Sequence, residues 1–308
     1  MLLSVSEKSL SFSVKAGSVV EKFCHNNYFF LFLTFVLLLL TDISNAASYK
    51  INERTKIYMR EVTSDSLSLN FDNDFTVPVT VKLSLKLENL KGVQSNEIVA
   101  VVPAKSTGYS LANFIKRNSY QPYKCSYNWK VVLGDVNKSP ALNSTYSYPY
   151  VKGNSYKISQ GPGGDFSHKD MFAYDFVMPV GTPVTAARNG IVATIKSDSK
   201  VGGSSKEFIE DANFISVYHE DGTIANYIHL NTNGVIVKEG QYVKKGDVIG
   251  YSGNTGFSNG PHLHFEVIQP TIDTDKNKSI SFNWETKQNS LLSFFSRRNF
   301  INSLKTVR

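Results

Sequence analysis

Residues 243–267 read VKKGDVIGYSGNTGFSNGPHLHFEV, and the end of that stretch decides the fold. Side chains two apart in a strand share a face. His262, His264 and Glu266 therefore face one way, and Leu263 and Phe265 face a core. Val248-Ile249 precedes a run of Gly, Ser, Asn and Pro, which reads as strand, tight loop, strand. The two imidazoles have two readings, a metal or substrate group and a pair of surface histidines. His-x-His alone does not choose between them.

Working outward, the neighbouring strands carry more of the same chemistry. Tyr227-Ile228-His229-Leu230 ends a strand on an imidazole. Asp175 sits inside the apolar run Ala173 to Met178, just after Ser167-His168. A carboxylate in an apolar strand needs a cation or several donors, so a bound metal and a backbone turn are its alternatives. Asp170, two residues from His168, competes as a ligand. Of six histidines, His25 lies in the leading segment and the other five share one stretch of about 130 residues. His219 in VYHEDGT is not the start of HExxH, because Thr223 stands at the last position; it reads as structural. Two imidazoles and one carboxylate suit zinc, which takes N and O ligands, and two imidazoles remain for acid–base work.

Three strings taken together, SHKDMFAYDFVMPVGTPVTAARNGIV (167–192), DGTIANYIHL (221–230) and 243–267, resemble the lysostaphin-type zinc metallopeptidases of the M23 peptidoglycan endopeptidase family. The resemblance covers about residues 156–285. It implies an antiparallel β catalytic domain, a barrel-sandwich hybrid. It implies zinc on His168, Asp175 and His264, with His229 and His262 as catalytic residues that are not ligands. Glu266 is given only a supporting place behind the ligands. Many members have the first histidine four residues before the aspartate, and here His168 and Asp175 are seven apart. The implied substrate is the peptide stems and cross-links of bacterial peptidoglycan. The Gly-rich stretches 161–164 and 253–260 are either groove walls or simply tight turns. A second reading is a catalytically silent envelope module that activates or scaffolds other wall hydrolases. Such a module is expected to lack one or more of the five groups, and all five are present.

The rest of the 308-residue chain is also all β in pattern. Val79 to Glu88 and Tyr123 to Val131 alternate apolar and polar, which predicts a β-sandwich-like accessory domain over 47–150. Ser139 to Ser155 reads as the connection to the domain over 151–286. Residues 1–46 hold the apolar run Tyr28 to Leu40 and small residues at Ser44 and Ala46. They read as a signal peptide or an uncleaved membrane anchor. Either places the protein outside the cytoplasm, in the periplasm or envelope, free or held at the inner membrane. Cutting after Ala46 leaves one cysteine, Cys125, on the apolar face of its strand, so no internal disulfide forms. The net charge of +7 suggests an anionic partner, but five of those charges lie in the acid-free tail 287–308. Membrane association through the leader or that tail stays open. Nucleic-acid binding is set aside, because the aromatics fall on alternating strand faces and the chain is read as exported.

Overall fold

The computed structural model describes residues 53–141, 144–273 and 278–285, and the backbone of one earlier strand. The apolar run 28–40, the small-residue site at 44–46 and the basic tail lie outside the described residues. No helix among the described residues is long and apolar enough to cross a membrane.

The first domain contains β1 (Lys8–Val14), β2 (Thr55–Glu61), β3 (Ser66–Asn73), β4 (Val79–Glu88), β5 (Leu90–Lys91), β6 (Glu97–Val102), β7 (Ser106–Lys116) and β8 (Tyr123–Leu133). They form two four-stranded sheets, β1-β8-β4-β6 and β2-β3-β7-β5. The predicted alternation is realised. Val79, Val81, Leu83 and Leu85 of β4 are buried with Leu67, Leu69 and Phe71 of β3 and Phe114 of β7. Phe71 and Trp129 meet edge to face across the two sheets, ring centres 6.1 Å apart. Cys125 is buried, and burial pushes its thiol up to about 11, so it is an inert packing residue. β1 lies inside the segment read as leader and pairs antiparallel with β8, Lys8 opposite Trp129 and Val14 opposite Tyr123.

The second domain is built from β9 (Thr145–Tyr146), β10 (Ile158–Gln160), β11 (Ala173–Phe176), β12 (Pro183–Thr185), β13 (Gly190–Lys196), β14 (Gly202–Gly203), β15 (Phe214–Tyr218), β16 (Ile224–Ile228), β17 (Leu230–Val235), β18 (Tyr242–Val243), β19 (Val248–Ser252), β20 (Gly256–Phe257), β21 (Leu263–Gln269), β22 (Lys278–Ser279) and β23 (Asn283–Trp284). A large antiparallel sheet runs β10-β11-β21-β16-β15-β13-β18, with β22 added beside β21. A smaller sheet, β12-β19-β17, packs on one of its faces. The large sheet stays open, with β10 and β18 at its ends, so these strands close no barrel. The stretch 197–212 forms β14 against β20 and a 3₁₀ turn over Lys206–Asp211.

Between the two sheets lie Val192, Ile215, Val217, Ala225, Tyr227, Leu263, Phe265 and Val267. The stretch read as a connection contributes to this core. Tyr146, Tyr148 and Tyr150 are only 1%, 5% and 2% exposed. They pack with Phe176, Phe282 and Trp284. Their spacing of two is a strand signal inside a segment rich in Ser, Pro and Asn.

The opposite face of the large sheet carries the chemistry. Register sorts it into three rungs. Phe214, Ile228, His264 and Asp175 form the first. Ser216, Asn226, Glu266 and Ala173 form the second. Tyr218, Ile224 and Ile268 form the third. The third rung, with Ala193, joins the hydrophobic core of the first domain. Rungs two residues apart are spaced by roughly 7 Å. The first domain therefore docks on the same face as the ionisable cluster, about two rungs away. The rim of the docking contact is polar: Arg54 pairs with Glu239 at 2.7 Å and Lys82 with Asp273 at 3.0 Å.

Candidate metal centre

Three side chains from three segments converge on the first rung. Asp175 on β11 lies directly opposite His264 on β21. His168 arrives from the loop between β10 and β11. That loop absorbs the seven-residue spacing with a turn closed by Met171 N donating to His168 O at 2.9 Å, through Asp170 in a left-handed conformation. Asp170 is exposed and outside the cluster. His168 Nε2 and His264 Nδ1 are 3.2 Å apart. Asp175 Oδ1 lies 3.2 Å from the first and 3.0 Å from the second.

These distances test whether a metal fits. His168 Nδ1 donates to the Gly161 carbonyl at 3.1 Å, so Nε2 turns a lone pair towards Asp175 Oδ1. Two acceptors in contact need a cation between them. Zinc bonds of about 2.0–2.1 Å in a tetrahedron put ligand atoms about 3.3 Å apart. The three observed separations match, and these are the residues that can hold a metal among those described. The charges respond accordingly. Burial alone would raise the Asp175 carboxyl, but the imidazoles of His168 and His264 beside it hold it well below the usual carboxylate range. Burial lowers His168, and Asp175 more than offsets it, with Glu266 adding to the rise.

His262 and His229 stand beside this triad, ring centres 4.5 Å apart. His262 Nδ1 hydrogen-bonds the Gly260 carbonyl at 2.8 Å, and His229 Nδ1 the Thr255 carbonyl at 2.7 Å. Those acceptors fix the tautomers and leave both Nε2 atoms as bases. His262 Nε2 lies 3.7 Å from Asp175 Oδ1. Burial, then the neighbouring His262 and His264, holds His229 well below the ordinary imidazole range; burial also lowers His262. Both are thus neutral bases near pH 7. His229 has φ +66° at the one-residue corner where the chain leaves the large sheet for the small one. That left-handed conformation costs a non-glycine residue about 1–2 kcal/mol.

Match to the M23 peptidases follows from this arrangement. Residues 170–279 fit the sequence profile of Peptidase family M23. This part of the chain is an M23 domain. The chain is 30% identical over 216 residues to an uncharacterized metalloprotease of Buchnera aphidicola, covering 65% of this chain and 53% of that one. It is 38% identical over 94 residues to the peptidoglycan DD-endopeptidase ShyA of Vibrio cholerae, covering 30% and 19%. Lysostaphin of Staphylococcus simulans is 38% identical over 96 residues, covering 31% and 17%. The chain thus spans about half of the first relative and a fifth of the second. In structure, lysostaphin from Staphylococcus simulans aligns over 44% of this chain and 52% of its own, at 31% identity and a TM-score of 0.34.

All five groups singled out in the sequence meet here. Glu266 is one rung behind them, accepting from Asn226 Nδ2 at 3.0 Å, while Asn226 Oδ1 accepts from Ser216 at 2.8 Å. His219 is remote; its Nδ1 hydrogen-bonds the Asn189 carbonyl at 2.8 Å. Of the glycines, Gly256 (φ +79°) allows a close approach of segments, since a Cβ there would lie 2.4 Å from Ala212 Cβ. Sequence reading passed over Gln160, which bonds Asp175 and the loop of His168. A Gln closing a three-residue strand carries no motif.

Proposed function

We propose that the protein is a zinc-dependent endopeptidase of the cell envelope that hydrolyses peptide cross-links of bacterial peptidoglycan. The observation that carries this reading is the meeting of three ligand atoms at 3.0–3.2 Å beside two neutral imidazole bases. His168 Nε2, Asp175 Oδ1 and His264 Nδ1 hold the metal. Zinc at that position supplies Lewis acidity, polarising a peptide carbonyl and acidifying water. One of His262 and His229 would take the water proton at Nε2, and the other would stabilise the developing oxyanion once it carries a proton at its own Nε2. Their backbone carbonyl partners keep both rings aimed at the same point. No HExxH glutamate is needed. The names of the relatives support peptidoglycan as the substrate. The apolar run 28–40 supports export to the periplasm, by a cleaved signal or an anchor.

The test compares zinc content and muropeptide products, by mass spectrometry, for wild type, His264→Ala and His262→Ala. His264→Ala loses both metal and cleavage. His262→Ala keeps metal and loses cleavage by about 10²–10⁴-fold. Full zinc stoichiometry in His264→Ala overturns the ligand assignment.

A further inference from the structure

The ligands His168 and Asp175 are joined by more than the chain between them. β10 pairs with β11 through a register shift between Ile158 and Gln160, which sets Gln160 opposite Asp175. Its carboxamide is fully engaged. Nε2 donates to Asp175 Oδ2 at 3.0 Å and to Ser167 Oγ at 2.8 Å. Oε1 accepts from Phe166 N at 3.0 Å and Ser167 N at 3.1 Å. An amide side chain has two N–H donors and one oxygen with two acceptor sites, so nothing is left over. The orientation is unambiguous, because a flipped amide would aim oxygen at a carboxylate and N–H₂ at two N–H donors.

The consequences reach both ligands. Tying down Oδ2 leaves Oδ1 as the Asp175 atom that faces His168 and His264. Holding Phe166 N and Ser167 N fixes the backbone just before His168. The adjacent residue, Gly161, accepts from His168 Nδ1. Room is made for this side chain, since a Cβ on Gly164 would lie 2.3 Å from Gln160 Cγ.

We propose that Gln160 is a positioning residue that assembles the metal site, locking the Asp175 carboxylate and the His168 loop into one rigid unit before metal arrives. This rests on the metal reading above. Groups that orient ligands in this way contribute about 10–100-fold to metal affinity.

The experiment measures zinc affinity of the full chain by competition with a chromophoric chelator, in wild type, Gln160→Ala and Gln160→Glu. Near-UV circular dichroism of the metal-free proteins checks the fold. Gln160→Glu keeps the size and the acceptors for Phe166 N and Ser167 N, and replaces the donor to Asp175 with an oxygen. Both variants are expected to bind zinc about 10–100-fold more weakly. Cleavage of purified sacculi by Gln160→Glu is expected to recover at saturating zinc, which a collapsed loop does not allow. Should Gln160→Ala not fold, Gln160→Glu alone decides. Zinc affinity within threefold of wild type in a folded variant overturns the proposal, and so does cleavage that stays low at saturating zinc. Wild-type protein that binds no zinc overturns the metal reading itself, and this inference with it.

Discussion

The two ends of one sheet face are built from the same strands and do opposite things. At one end, the rung of Ile228, His264 and Asp175 carries the ionisable cluster, in which His168, His262 and His264 each place a ring nitrogen 3.0–3.7 Å from Asp175 Oδ1. At the other, Tyr218, Ile224 and Ile268 continue the same strands as an apolar band under the first domain. Between them the second rung is buried, and its Ser216, Asn226 and Glu266 are polar and hydrogen-bonded to one another. The metal end gathers a buried carboxylate and imidazole lone pairs, acceptors that need a cation between them. The docked end gathers only apolar surface, at about 25 cal/mol per Å² removed from water. A fold can keep such an expensive site when the rest of the face is stabilising, and here four residues separate one from the other along β16 and β21.

Changes at the two ends should therefore separate cleanly. The largest effect is expected at the metal end. His229→Ala should lose about 10²–10⁴-fold in kcat while zinc content and melting temperature stay close to wild type. A large drop in melting temperature would break the distinction. At the docked end, Ile224→Ala should cost about 2–5 kcal/mol in urea unfolding, with zinc stoichiometry unchanged in the folded protein. Loss of zinc in that variant would mean that the first domain supports the site directly across the polar rung.

The smallest effect depends on pH. His219 follows Tyr218, away from the triad, and burial depresses it to about 4. Its Nε2 is buried without a hydrogen-bond partner among the described residues. A base with a depressed folded pKa is neutral in the fold and takes up a proton on unfolding. Its contribution is present above pH 6.5 and is lost as pH falls from about 6.5 towards 4, by roughly 3 kcal/mol. Melting curves across that window should show this loss in wild type and much less of it in His219→Gln. An identical acid dependence in both proteins would assign the loss to other groups.

Much of this was legible locally. The alternation in Val79 to Glu88 and in 262–266 already orients whole strands, because a period of two is a property of neighbouring residues. His262, His264 and Glu266 lie on one face for that reason, and the five polar groups could be collected with the help of the M23 resemblance. The Tyr146, Tyr148 and Tyr150 spacing carried the same signal, masked by the Ser and Pro around it.

Distance along the chain is where local reading stops. His168 and His264 are 96 residues apart, and only the pairing of β11 with β21 sets Asp175 beside His264. The amino-acid sequence by itself determined an all-β chain, the faces of its strands and the residue types available for chemistry. Tertiary structure alone decided that Gln160 clasps two ligands, that His229 turns a left-handed corner, and that the first domain shares a sheet face with the metal centre. Each of those depends on strand register and on contacts between remote segments, which no short-range periodicity encodes.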